Sequence, residues 1–134
     1  MNILVSACLL GVECRYNGRG ALIPQAEELL SRHHLIPVCP EILGGLATPR
    51  IPAERVGTGV ITRDGGDVTA AYEKGAGEVL KLAQLYGCQA AILKERSPSC
   101  GSGQVYDGTF TGTLTEGDGV CAACLKEHGI RVYG

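Results

Sequence analysis

The chain has 134 residues, of which 45% are hydrophobic and 19% charged, and a formal net charge of −2. That size and apolar content fit one folded domain, residues 1–134, with a core that needs no disulfide staples, and they exclude a disordered chain. One Phe, no Trp and five Tyr on a slightly acidic chain offer neither a phosphate-tracking field nor an array of stacking rings, so polymeric nucleic acid is not an expected partner. No apolar run reaches the roughly 20 residues of a membrane span, and the opening MNILVSAC lacks the basic start of a signal peptide, so the expected location is cytoplasmic.

In chain order, Asn2 to Ala7 reads as a short apolar strand of the kind buried on both faces of a parallel sheet, ending at Cys8. A Gly-rich polar loop, Gly11 to Gly20, leads to Pro24, which opens a short helix through QAEELLSR. Leu35 to Val38 forms a second strand that stops at Cys39-Pro40. Glu41 to Asp67 reads as structured loop with a small strand at Val60 to Thr62. Val68, Ala71, Tyr72, Gly75, Ala76, Val79, Leu80, Ala83 and Tyr86 then recur at helical spacing, capped by Asp67 or Thr69 and ended by Gly87. Gln89 to Leu93 forms a third buried strand and runs into KERSPSCGSG. A turn at Tyr106 to Thr109 and a polar stretch lead to Asp118, an N-cap for a helix through His128, and Ile130 to Tyr133 closes the chain as a fourth strand. Strands alternating with helices predict a mostly parallel βαβ sheet.

Seven cysteines, an odd number, do not suggest a disulfide framework in a reducing compartment. Ligands of open α/β sheets bind beyond the carboxyl ends of the strands. Cys8 follows the first strand, Cys39 the second, and Cys100 lies in the Gly-rich loop after the third, so these three can converge on one site. Cys88 precedes its strand and reads as a small buried hydrophobe. Cys121 and Cys124 sit at i, i+3 on a helix with no second ligand pair at zinc-finger spacing and read as core. Cys14 is near enough to join the site as a fourth ligand or resolving thiol, or to be a passive loop residue. The loop Ser97 to Gly103 can turn backbone N–H groups inward around an anion. Three thiolates without a matching His fit either a zinc ion with an open position or a 4Fe–4S cluster with one exposed iron.

Several blocks carry a resemblance. Ser6 to Gly11, Arg15 to Gly18, Cys39-Pro40-Glu41 with Gly44-Gly45-Leu46, Pro49-Arg50, Pro52-Ala53-Glu54, Lys94-Glu95-x-Ser97-Pro98-Ser99-Cys100-Gly101 and Tyr106 to Phe110 together resemble the thiouracil desulfidase family across nearly the whole chain. The resemblance implies a single-domain, Rossmann-like three-layer fold with a mostly parallel sheet and Gly-rich active-site loops. It implies a 4Fe–4S cluster held by Cys8, Cys39 and Cys100, and a small thio-nucleobase substrate desulfurated without net redox change. Ser97 and Glu41 match positions expected to transfer protons, with Glu54 as the reserve carboxylate. Cys14, Cys121 and Cys124 depart from the family pattern. A zinc hydrolase on the same three cysteines and a non-catalytic metal- or sulfur-binding module are the rival readings.

Overall fold

A computed structural model describes residues 1–134. Its elements in chain order are β1 (Asn2–Ser6), a 3-10 turn (Ala7–Leu10), α1 (Ala26–Arg32), β2 (His34–Val38), α2 (Pro40–Leu43), β3 (Ala53–Val56), β4 (Gly59–Thr62), α3 (Thr69–Leu85), β5 (Ala90–Ile92), β6 (Gln104–Tyr106), β7 (Leu114–Glu116), α4 (Val120–Glu127) and β8 (Arg131–Tyr133).

The central sheet has four strands in the order β2-β1-β5-β8, and every pairing in it is parallel. The uninterrupted apolar run of β1 follows from its place inside this sheet, where both faces are covered. Leu4 points into one apolar cluster with Val79, Ala83 and Leu125 from α3 and α4. Val5 points into the other, with Leu9 and Cys14. Successive residues of one strand therefore seal opposite faces, as the period of two requires. Leu4, Val79 and Leu125 are wholly buried, a burial worth about 1.5–3 kcal/mol for each such side chain. Pro37 interrupts β2 without harm because β2 is an edge strand, where a missing N–H need not break a ladder.

Two antiparallel hairpins, β3–β4 and β6–β7, stand outside this sheet. The sequence reading has loop over most of the first and a turn followed by a polar stretch in place of the second. These strands are three or four residues long and carry Glu54, Arg55, Gln104 and Glu116, so no apolar alternation marks them. Two capping expectations are also corrected. Asp67 does accept the N–H of Thr69 at 2.9 Å, but the Thr69 hydroxyl turns back to Val60 as acceptor of its N–H at 2.9 Å. Asp118 does not cap α4, whose N-cap is Gly119; its carboxylate instead accepts from Gly103 N at 2.8 Å and pairs with Lys126 at 2.9 Å. An acid just before a helix found a loop amide and a lysine in the last turn of that helix.

Helix α2 lies backbone to backbone on α3. A Cβ added at Gly75 would come within 1.9 Å of the Pro40 carbonyl oxygen, and one at Gly44 within 2.0 Å of the Ala71 carbonyl oxygen. Only residues without a Cβ permit this approach. The seam fixes α2, and with it the residues at its start, Cys39 and Glu41.

Candidate active site

β1 is followed in sequence by β2 on one side of it, and β5 by β8 on the other, so the connections leaving β1 and β5 diverge. The carboxyl ends between them are where such a sheet opens a crevice. There the structure has a cavity of about 380 Å³ whose lining includes Cys8, Cys14, Cys39 and Cys100. Glu41, Glu54 and Ser97 line the same cavity. Cys88, Cys121 and Cys124 do not; Cys88 and Cys121 lie in the apolar cluster under α3 and α4, and Cys124 packs against it.

Each thiol arrives by a different local device. Cys8 sits in the 3-10 turn that ends at Gly11 in left-handed backbone, φ 93. Cys39 is the extended residue before α2, with Pro40 in the first helical turn, where its missing N–H costs nothing. Cys100 belongs to the loop after β5, tied to β1 by Lys94 N donating to Ser6 Oγ at 2.9 Å. In that loop Ser97 Oγ accepts from the backbone N–H of Ser99 and of Cys100, both at 3.0 Å. Both acceptor sites of the hydroxyl oxygen are thereby used. Its own proton is free to go outward, and the nearest acceptor is Glu41 Oε1 at 3.5 Å.

Glu41 is held from the other side. Arg50 Nε donates to Glu41 Oε2 at 3.1 Å, and Nη2 pairs with the same oxygen. The guanidinium also donates to the carbonyl oxygens of Cys14 and Ala47 and to Thr48 Oγ1, each at 3.2 Å. Burial alone would lower the Arg50 pKa; the charge and hydrogen bonds of Glu41, with smaller contributions from Tyr72 and Cys39, together outweigh it and raise it. The carboxylate thus has one oxygen saturated by Arg50 and the other turned to Ser97. Glu54 is differently employed, since its Oε1 accepts backbone N–H groups of Gly108 at 3.0 Å and Phe110 at 3.1 Å. Of the two carboxylates singled out from the sequence, Glu41 is the one facing the serine.

In the metal-free chain the pKa values of Cys8, Cys14 and Cys100 are all raised. Burial, then the neighbouring Cys39, pushes Cys8 up; burial pushes Cys100 up to about 12, with the Glu41 charge adding to it. Cys14 is also pushed up to about 12, first by burial and then by the charge and hydrogen bond of Cys39. A cation at the site inverts this, because metal-bound thiols lose their protons. Ser99 Oγ is wholly buried and has no hydrogen-bond partner, yet it lies where it favours the deprotonated form of Cys100. A thiolate at Cys100 would receive its proton. The donor set is soft sulfur, and no three His, Cys, Asp or Glu side chains are disposed to hold a single metal ion.

Sequence reasoning missed Arg50, Tyr72 and Phe110 as cavity residues. Tyr72 reads as one more apolar position of α3, Arg50 as part of a matching block without a role, and Phe110 as the end of a turn. The one signal for Phe110 was its being the sole Phe, placed among turn residues.

A family model for 2-thiouracil desulfurase matches residues 3–134. The uncharacterized protein YbbK of Bacillus subtilis (strain 168) is 48% identical over 140 residues, covering 97% of this chain and 93% of its own. The solved structure of TudS, a 4Fe–4S-dependent thiouracil desulfidase, superposes with a TM-score of 0.94 at 46% identity, over 98% of this chain and 89% of that one.

Proposed function

The chain belongs to the 2-thiouracil desulfurase family, and on that premise we propose that it is a 4Fe–4S-dependent desulfidase converting 2-thiouracil or a related thiolated pyrimidine, with water, to the oxygen-bearing base and hydrogen sulfide. No electrons are gained or lost; one C–S double bond is exchanged for C–O. The observation that carries the reading is the meeting of Cys8, Cys39 and Cys100, from the loops after β1, β2 and β5, in one cavity with the Glu41–Ser97 pair. TudS, the similar protein, is a thiouracil desulfidase.

Cys8, Cys39 and Cys100 would hold the cluster, and when bound it supplies a Lewis-acidic iron without a protein ligand, able to draw electron density from a thiocarbonyl. The residues fit that group. The donors are soft, the Ser99 hydroxyl lacks any other partner, and cations outnumber carboxylates around the cavity, with Arg15, Lys94 and Arg96 added to Arg50.

The chain's own chemistry is proton transfer. Glu41, fixed through Oε2 by Arg50, takes a proton from water at Oε1 as that water attacks the thiocarbonyl carbon of the base bound as its anion. Ser97, its oxygen filled by two N–H donors, gives its proton to the ring nitrogen, and the C–S bond breaks as the new hydroxyl becomes the carbonyl and its proton leaves with sulfur as hydrosulfide. The separation of 3.5 Å between Ser97 Oγ and Glu41 Oε1 lets the serine be recharged by the acid that has just formed. In this reading residues 1–134 act as one Rossmann-like, cytoplasmic catalytic domain whose Gly-rich loops form the active site.

Anaerobic reconstitution with iron and sulfide, followed by a visible spectrum and a sulfide-release assay on 2-thiouracil, tests it. The expected result is about four irons per chain and sulfide release that tracks iron content. Fully loaded protein that releases no sulfide from any thiolated pyrimidine would end the reading.

A further inference from the structure

Phe110 is the sole phenylalanine, and its backbone stands at φ 57. For a bulky aromatic this left-handed conformation is an outlier that persists only where the surroundings enforce it. Glu54 enforces it here. Its side chain is 9% exposed, and one carboxylate oxygen accepts both the Phe110 and Gly108 backbone N–H groups. Burying a carboxylate is costly, and two charge-assisted bonds to one loop offset that cost. Gly108 adds a second restraint: at φ 93 it lies so close to β3 that an added Cβ would be 2.8 Å from the Arg55 carbonyl oxygen. The loop between β6 and β7 is therefore clamped onto β3.

Core packing does not account for the clamp, since neither apolar cluster contains Phe110. The ring instead lines the cavity that holds Cys8, Cys39 and Cys100. The Arg63 guanidinium lies 5.6 Å from the ring centroid, over one of its faces, a favourable cation–π distance. Phe110 and Arg63 both line that cavity.

Resting on the desulfuration reading, we propose that Phe110 is a specificity-determining stacking platform for the planar base, held in place by Glu54 and backed by Arg63. The site then selects aromatic thio-bases over thiocarbonyl compounds of the same size and polarity that are not flat. Stacking needs no hydrogen-bond pattern, so the platform grips the ring while leaving the C–S carbon to Glu41 and Ser97.

The test compares 2-thiouracil with 5,6-dihydro-2-thiouracil, which keeps the thiocarbonyl and loses the aromatic ring. Phe110→Leu keeps apolar bulk without a π-face, and is expected to raise KM for 2-thiouracil by about 5- to 100-fold, with kcat within about threefold of the parent. Phe110→Tyr should restore the parent KM. The dihydro compound should keep its KM in both variants. Glu54→Gln leaves the ring and weakens its clamp, and should give a smaller rise, again on 2-thiouracil alone; it serves if Phe110→Leu does not fold. Equal changes on the two compounds, or no change on either, would overturn the platform. Should loaded parent protein release no sulfide at all, the desulfuration reading falls separately, and equilibrium dialysis of 2-thiouracil decides the platform: weaker binding by Phe110→Leu keeps it, and unchanged binding removes it.

Discussion

The cavity at the carboxyl ends of β1, β2 and β5 and the apolar layer under α3 and α4 both contain cysteines, and the contrast between them shows what makes a thiol available. Cys88 and Cys121 are surrounded by Ala, Val and Leu side chains. Cys8, Cys14 and Cys39 share their surroundings with Arg15, Lys94, Glu41 and Arg50. Cys100 belongs to both regions, packed into the apolar cluster and lining the cavity. Burial therefore does not separate the two sets, because Cys8 and Cys100 are as buried as Cys88. Position does: thiols that follow a parallel strand face the crevice, and those that precede one or ride a covering helix face the core.

The contrast breaks most sharply on the ligands. Replacing Cys8, Cys39 or Cys100 by Ala should reduce both bound iron and sulfide release to background, while Cys88→Ala and Cys124→Ala keep both; iron content and the visible spectrum of anaerobically loaded protein decide. Next come the proton-moving residues. Ser97→Ala and Glu41→Gln should retain iron and lower kcat by about 10²- to 10⁴-fold, the range of general acid–base assistance. Either variant with full turnover would remove that residue from the chemistry.

Arg50 sharpens the comparison from the side of stability. Its guanidinium and the Glu41 carboxylate are only 10% and 13% exposed, so Arg50→Met strands a buried carboxylate and should cost about 3–5 kcal/mol in denaturant unfolding. Adding Glu41→Gln should recover much of that loss without recovering turnover, an outcome read from a double-mutant cycle. Lysine at position 50 cannot reproduce the forked contacts and should fall between.

A smaller effect follows from the thiol pKa values. Unfolded thiols ionise near their ordinary value of about 9, whereas Cys14 and Cys100 stay protonated until about 12. The folded metal-free chain then binds more protons than the unfolded one in that window, so its stability should fall as pH rises from about 9 toward 12. Cys100→Ala should flatten part of this slope in pH-dependent unfolding. The smallest expected effect is that of Cys121→Ala, with activity unchanged and a stability loss of about 1 kcal/mol from the vacated core volume.

What could be read in advance divides along the same line. The strands of the central sheet and α3 are legible because burial imposes a period on them: NILVS is apolar throughout, and Tyr72, Ala76, Val79 and Ala83 fall on one helical face. The order of the strands relative to the cysteines follows from that alone, which is why Cys8, Cys39 and Cys100 could be grouped. Of the two hairpins only the strand at Val60 to Thr62 was legible, as part of β4; Glu54 is placed by the amides it holds in the loop after β6 and not by a repeat along the chain. The work of Glu54 is the clearest case: its sequence position suggests a spare proton acceptor, and its partners are two amides 54 and 56 residues away. Asp118 repeats the lesson, being taken by Gly103 and Lys126 before α4 could use it.

The seam between Gly44 and Gly75 has a consequence for how this chain tolerates change. With backbone carbonyls about 2 Å from where either Cβ would stand, no rotamer adjustment can absorb even a methyl group, and α2 must shift along with Cys39 and Glu41. In a library of random variants sorted for sulfide release, positions 44 and 75 should therefore be depleted of every substitution, alanine included, as thoroughly as the cysteines themselves. Yet neither glycine carries a reactive group, and Gly75 does not line the cavity. A map of intolerance drawn from such a library would mark the α2–α3 contact as though it were part of the active site, and mechanically it is.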